Sequence, residues 1–130
     1  RKYANRLGVG GRVRMPGYQE HMHWIYQNAD IFVFPSVREG MPLSLMEAMA
    51  AGMPCIVSDI RGNRELIPDR FRFSLRHSGQ LRHALVQMLG DEQLKLACAR
   101  ENQKKIQDYD QTVIQHRMNH IYQYMKLINI

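Results

Sequence analysis

Hydrophobic and polar positions along the chain fall into two rhythms. Ile31-Phe32-Val33-Phe34 and Cys55-Ile56-Val57-Ser58 are short, nearly continuous apolar runs. Strands covered on both faces, as in parallel sheets, read this way. Phe71 to Leu75 alternates and predicts another strand. Arg12 to Met15 predicts a short one ahead of the turn signal Pro16-Gly17. The helical rhythm appears at about Glu20 to Asn28, with Met22, Ile25 and Tyr26 on one face and Trp24 partly exposed beside them. It returns at about Pro42 to Ala51, at Gln80 to Leu89, and from Asp91 to about Gln107. Asn63 to Ile67 predicts one or two turns stopped by Pro68. Arg1 to Gly10 reads as a helix end with its stop near Leu7-Gly8. Asp110 can cap a last helix whose stripe is Ile114, Met118, Ile121, Tyr122 and Met125. Strands interleaved with helices predict an α/β fold: a Rossmann-like parallel sheet of about four strands with flanking helices.

One helix carries signals at both ends. Pro42 suits a first turn, where its missing N–H would have no partner anyway. Gly52 suits the position past the end, and Pro54 blocks continuation. On a helical wheel Leu45, Met46, Met49 and Ala50 cover one side, and Leu43 sits beside Glu47. Ser44 and Glu47 are the only polar side chains, with Ala48 and Ala51 leaving room around them. So apolar a helix is expected to be buried, and Glu47 then needs a partner. The preceding loop brings a second carboxylate, Glu39, and Gly40, which lets a backbone approach a ligand. A helix start offers free N–H groups that suit phosphate. Ligands of open parallel sheets lie beyond the carboxyl ends of the strands, where this loop falls. The residues read as a site for a phosphorylated, hydroxyl-rich ligand. A salt-bridged Glu47 and an ordinary surface Glu39 are the competing reading.

Composition narrows the classes. One hundred and thirty residues make a single domain, with residues 91–130 as its C-terminal helices. Eighteen Lys and Arg outweigh twelve Asp and Glu, and most of the excess precedes Asp91, largely as arginine. That balance suits a nucleotide diphosphate or an anionic membrane surface. There is no Lys/Arg run and no RNA-binding aromatic motif, which argues against nucleic acid. Cys55 and Cys98 lie far apart and read as core thiols of a reducing compartment. No stretch is long or apolar enough to span a membrane. His21 and His23 point to different helix faces, and His116 and His120 have no carboxylate or cysteine between them. Both pairs read as solvated rather than as a metal site.

The ordered run Pro35-Ser36-x-x-Glu39-Gly40-x-Pro42-Leu43-x-Leu45-x-Glu47-Ala48-Met49-Ala50-x-Gly52-x-Pro54 resembles the E-x7-E signature of retaining GT-B glycosyltransferases of family four. Val13 to Gly17, Asn28 to Val33, and Ser58 to Ile67 resemble the elements that flank it in that family. The likeness covers roughly Val13 to Ile67 and implies the C-terminal, donor-binding domain of a two-domain enzyme, in part. It implies that Glu39, the catalytic-site carboxylate, contacts donor sugar hydroxyls, and that Glu47 accepts from the ribose hydroxyls. Gly40, Met41, Pro42 and Leu43 would face sugar and diphosphate. Tyr18 and Gln19 would lie near the base, and Arg61 and Gly62 near the diphosphate; an ordinary solvated arginine is the competing reading of Arg61 and the preferred one of Arg64. The family needs no metal, and no cofactor is implied beyond the nucleotide-sugar substrate.

The chain departs from the family at Pro68 to His77, where the loop is shorter and arginines replace glycines. That bears on the donor-pocket wall and on sugar specificity. The acceptor domain and the start of the donor domain are not in this sequence, and the first residue is Arg1. A fragment without transfer activity of its own is therefore expected, from a parent acting in polysaccharide or glycoconjugate synthesis. The resemblance places it in the cytoplasm, with peripheral contact at the inner membrane face. Self-association through the last helix is a further expectation. The alternatives are a non-catalytic nucleotide-sugar-binding or assembly module and a structural fragment without ligand affinity.

Overall fold

The structure of the protein is a computed structural model that describes residues 1–110. The helix expected after Asp110, its apolar stripe, and His116 and His120 lie outside the described residues. Three strands, β1 (Phe32–Phe34), β2 (Cys55–Ser58) and β3 (Arg72–Phe73), form one parallel sheet in that order. Phe32 pairs with Cys55 and Phe34 with Val57; Val57 then faces Arg72, and Ser58 faces Phe73. The helices are α1 (Lys2–Arg6), α2 (Met22–Asn28), α3 (Leu43–Ala50), α4 (Arg61–Arg64), α5 (Ser78–Gly90) and α6 (Glu92–Ile106). The α/β fold with a parallel sheet and flanking helices is thus as expected from the patterning.

Two expectations about strands fail. Arg12 to Met15 does not form one: Gly10–Arg12 is a 3-10 turn and Val13 is extended but unladdered. A strand exists only through its neighbour, and within the described residues β1 is bonded to β2 alone. Arg14 and Met15 are exposed accordingly. The sheet therefore has three described strands rather than four. The strand expected over Phe71 to Leu75 shrinks to two residues. Phe71 closes a 3-10 turn, and the Ser74 N–H turns away to the Gln80 side chain at 2.8 Å.

Every residue of β2 is fully buried. Successive strand residues point to opposite faces, so both faces of β2 are covered. Leu45 and Met49 of α3, Met88 of α5 and Cys98 of α6 supply the fully buried neighbours. Polar ties fix α6 in place. Asp91 caps it by accepting from the Leu94 N–H at 2.9 Å, as the sequence predicts. The buried Asn102 amide donates to the Met53 carbonyl at 2.8 Å. Gly52 ends α3 at φ +76°, and a Cβ there would lie 2.6 Å from the Gln103 amide nitrogen. Backbone conformation calls for glycine here, whereas the Gln103 side chain could swing aside.

Cys55 and Cys98 are core thiols, both fully buried, with the Cys98 Sγ 3.9 Å from the Cys55 carbonyl oxygen. Burial pushes both thiols above the ordinary cysteine range. Neither is therefore expected to react with a thiol reagent at pH 8 while the protein is folded. Both should react at once in denaturant, and rapid labelling of either under native conditions would show that α6 opens readily.

Candidate functional site

Because the strands are parallel, their carboxyl ends share one edge, and the chain leaves β1 and β2 there. The loop after β1 (residues 35–42) carries Glu39, and the turn after β2 leads into α4. The two segments meet tightly. A Cβ placed on Gly62 would lie 2.7 Å from the Glu39 carbonyl oxygen, which is closer than real contacts allow. Gly62, lacking a Cβ, thus permits this close approach. The Ser58 hydroxyl at the end of β2 donates to the Ser36 carbonyl at 2.6 Å. Asn63 is fully buried, and its amide donates to the Ser58 carbonyl at 2.9 Å. Finally, the Ser36 hydroxyl donates to Glu39 Oε1 at 2.6 Å. A chain of hydrogen bonds thus runs from the buried end of β2 to a half-buried carboxylate.

Glu47 corrects the wheel. The helix buries Leu45, Ala48 and Met49, while Leu43, Glu47 and Ala50 are exposed. Only one side of α3 packs on β1, β2 and α6. Ala48 does not leave room beside Glu47; it faces the core. No burial penalty therefore falls on the Glu47 carboxylate. It still has a partner: the Tyr26 hydroxyl donates to Oε2 at 3.1 Å. Tyr26 is 5% exposed and meets Phe32 edge to face, with ring centroids 5.9 Å apart. Sequence periodicity marks Tyr26 as core. Its hydroxyl was the overlooked signal, since a buried tyrosine usually finds a polar partner for it. Burial first, and then the bond to Glu47, push the Tyr26 hydroxyl up to about 12.

The arginines that replace glycines around residue 70 are engaged internally. Arg72 is ion-paired with Asp59, at 3.0 Å, and with Asp69, and it donates to the Ile67 carbonyl at 2.6 Å. Arg70 pairs with Glu101 and lies 4.7 Å from the centre of the Phe71 ring. Arg64 makes a two-pronged pair with Asp59 at 2.9 and 3.1 Å. That bond, more than any other influence, holds the Asp59 carboxyl below the usual aspartate range. Arg61 is exposed, with no ion-pair partner among the described residues. The 68–77 segment closes around a polar hollow of about 300 Å³ lined by Asp59, Asp69, Arg72, Ser74 and Gln80.

Among the described residues, those singled out from the sequence are spread over separate places. Glu39 and Gly62 touch each other, with Arg61 adjacent. Leu43 and Glu47 line a groove of about 590 Å³ whose far wall is Ile106 and Tyr109. Gln19 lines another of about 690 Å³, with Arg14, His21, His23 and Trp24. Tyr18 is 89% exposed. Gly40 and Met41 are exposed and Pro42 is buried. His21 and His23 are both exposed. Among the described residues no group of three or more His, Cys, Asp or Glu could hold a metal ion, and no helix is long and apolar enough to cross a membrane.

Comparison with known proteins gives one consistent family. The profile described as "Glycosyl transferases group 1" matches residues 1–106. The UDP-Gal:alpha-D-GlcNAc-diphosphoundecaprenol alpha-1,3-galactosyltransferase of Escherichia coli is 35% identical over 97 residues, 72% of this chain and 25% of that protein. The N,N'-diacetylbacillosaminyl-diphospho-undecaprenol alpha-1,3-N-acetylgalactosaminyltransferase of Campylobacter jejuni is 32% identical over 115 residues, 86% of this chain and 31% of that protein. The chain thus spans between a quarter and a third of the length of these curated relatives. Sucrose-phosphate synthase from Thermosynechococcus elongatus superposes on 98% of this chain and 33% of its own, with a TM-score of 0.82. At 23% identity, that likeness is one of fold.

The Tyr26–Glu47 contact predicts an alkaline limit. The folded state favours the protonated phenol, so its contribution is complete below the ordinary tyrosine value near 10 and is lost as pH climbs toward 12. Tyr26→Phe should unfold more easily than the natural chain at pH 8, by about 1 kcal/mol for a lost hydrogen bond. The gap in unfolding temperature should close as pH rises above 10. A constant gap across that range would show that the hydroxyl plays no part.

Proposed function

This chain belongs to the glycosyl transferases group 1 family, with a GT-B type fold, and from that premise we propose that it forms the donor-binding part of a retaining glycosyltransferase. Its parent transfers a sugar from a nucleoside diphosphate to a hydroxyl acceptor in polysaccharide or glycoconjugate synthesis. One observation carries the reading. Two carboxylates eight residues apart, Glu39 and Glu47, are each held by a hydroxyl on one oxygen, and among the described residues the other oxygen of each is left open. A carboxylate oxygen accepts hydroxyl protons, and a diol suits it well.

In this reading Glu39 accepts from the donor sugar hydroxyls and Glu47 from the ribose hydroxyls. The backbone from Gly40 to Leu43 faces the sugar and diphosphate, Tyr18 and Gln19 lie toward the base, and Arg61 supports the diphosphate beside Gly62. The bond from the anomeric carbon to the diphosphate breaks as the bond to the acceptor oxygen forms. Holding the sugar and stabilising the departing diphosphate supply the catalysis. The reading assigns no metal and no cofactor other than the donor.

The acceptor side belongs to a part of the parent outside this chain, so the isolated chain is expected to transfer nothing. Both named relatives act on diphosphoundecaprenol-linked sugars. A lipid-linked acceptor of that kind lies at a membrane surface, and the net charge of +6 suits peripheral contact with an anionic one from the cytoplasmic side. Self-association of the isolated chain is part of the same reading.

Titration of this chain with UDP, GDP and ADP, followed by amide NMR shifts, tests the site. Saturable shifts around residues 39–47 with one base are expected, and Glu47→Ala should weaken them roughly tenfold to a hundredfold. In the full-length enzyme, Glu39→Ala should abolish most transfer. Binding by the natural chain that is untouched in Glu47→Ala would overturn the role of Glu47. Transfer that survives Glu39→Ala would overturn the catalytic role of Glu39 and leave this chain a module that binds the nucleotide sugar while catalysis lies elsewhere in the parent. Sugar transfer by the isolated chain would refute the expected inactivity.

A further inference from the structure

We propose that Ser36 and Gly62 are positioning residues for the donor sugar: Ser36 sets the direction of the Glu39 carboxylate, and Gly62 sets the path of its main chain. The inference rests on the reading that Glu39 faces the sugar.

Glu39 stands on a loop, where a glutamate ordinarily samples many rotamers. Here one oxygen is pinned, with the Ser36 hydroxyl 2.6 Å from Oε1. Oε2 has no protein partner among the described residues, so the pinned carboxylate offers one defined acceptor. Ser36 is itself anchored through its carbonyl, which accepts from Ser58 at 2.6 Å. Ser58 is fully buried, and its own carbonyl accepts from the fully buried Asn63 at 2.9 Å. The half-buried Ser36 is therefore tied to two fully buried residues. A group ordered before the ligand arrives binds without first giving up its freedom.

Gly62 acts on the other side of the same loop. Its φ is not in the left-handed region, so backbone conformation does not demand glycine there. The demand comes from contact alone: a Cβ would lie 2.7 Å from the Glu39 carbonyl oxygen and 3.1 Å from the carbonyl carbon. These are main-chain atoms and cannot rotate aside. A methyl group at position 62 must push the Glu39 backbone away from α4, carrying the carboxylate with it. Gly62 thereby acts on the sugar through Glu39 rather than by contact of its own.

The test compares Ser36→Ala, Ser36→Thr, Gly62→Ala and Glu39→Ala in the full-length enzyme. The readouts are kcat/KM with the best of UDP-galactose, UDP-N-acetylgalactosamine and GDP-mannose, and competitive inhibition by the matching free nucleoside diphosphate. Unfolding temperature is followed in parallel. Ser36→Ala and Gly62→Ala should lower kcat/KM roughly tenfold or more, the scale of a lost hydrogen bond to a charged group. In Ser36→Ala, inhibition by the free diphosphate, which lacks the sugar, should stay within about twofold of the natural enzyme, and Ser36→Thr should restore most of the rate. Equal losses in turnover and in diphosphate inhibition would mean general damage to the fold and overturn the proposal. So would a natural rate in Ser36→Ala and Gly62→Ala while Glu39→Ala is impaired. If Glu39→Ala itself turns over normally, the assignment of Glu39 to the sugar fails first, and the positioning role falls with it.

Discussion

All four residues of β2 are shut away from water, and the rest of the described structure hangs on that strand. Its backbone groups can be satisfied only by neighbours, which fixes β1 and β3 in parallel on either side. Its two faces must both be covered, which recruits α3, α5 and α6. Where it ends, Ser58 breaks the apolar run with a hydroxyl that reaches the next loop. The same strand therefore organises the core at one end and the polar network at the other.

Much of this was legible from residue patterns. Continuous apolar runs located β1 and β2, and α3 was bracketed by Pro42 and Gly52 because both residues act through local backbone constraints. The Asp91 cap was readable for the same reason. What failed depended on distant neighbours. A strand over residues 12–15 needed a partner that the pattern alone could not supply. The exposure of Glu47 depended on which side of an alanine-rich helix the sheet would cover, and small residues leave that undecided. Arginines 64, 70 and 72 are each committed to a carboxylate: Arg64 and Arg72 share Asp59, just after β2, and Arg70 reaches Glu101 of α6.

The two carboxylates reach comparable states by different routes. Glu39 is loop-borne and is held through a relay that begins in β2; Glu47 is helix-borne and is held by a phenol that begins in the core. For Glu39 the half-buried Ser36 passes the tie on to buried Ser58, whereas for Glu47 a buried phenol makes it directly. The motif resemblance read from the sequence singled out the pair. The way each is braced could be read only from the three-dimensional arrangement, since Tyr26, Ser58 and Asn63 lie far from them in the chain or carry no motif of their own.

Trp24 is the chain's single tryptophan, and it stands 62% exposed on α2, beside the groove that also holds Gln19, His21 and His23. Fluorophores used to follow folding usually sit in the core, where unfolding moves them into water. This indole is already largely in water. Its emission therefore carries little information about the state of β2 and the helices around it. It reports instead on whatever enters or covers its groove, which makes it a built-in optical probe of that surface rather than of global stability.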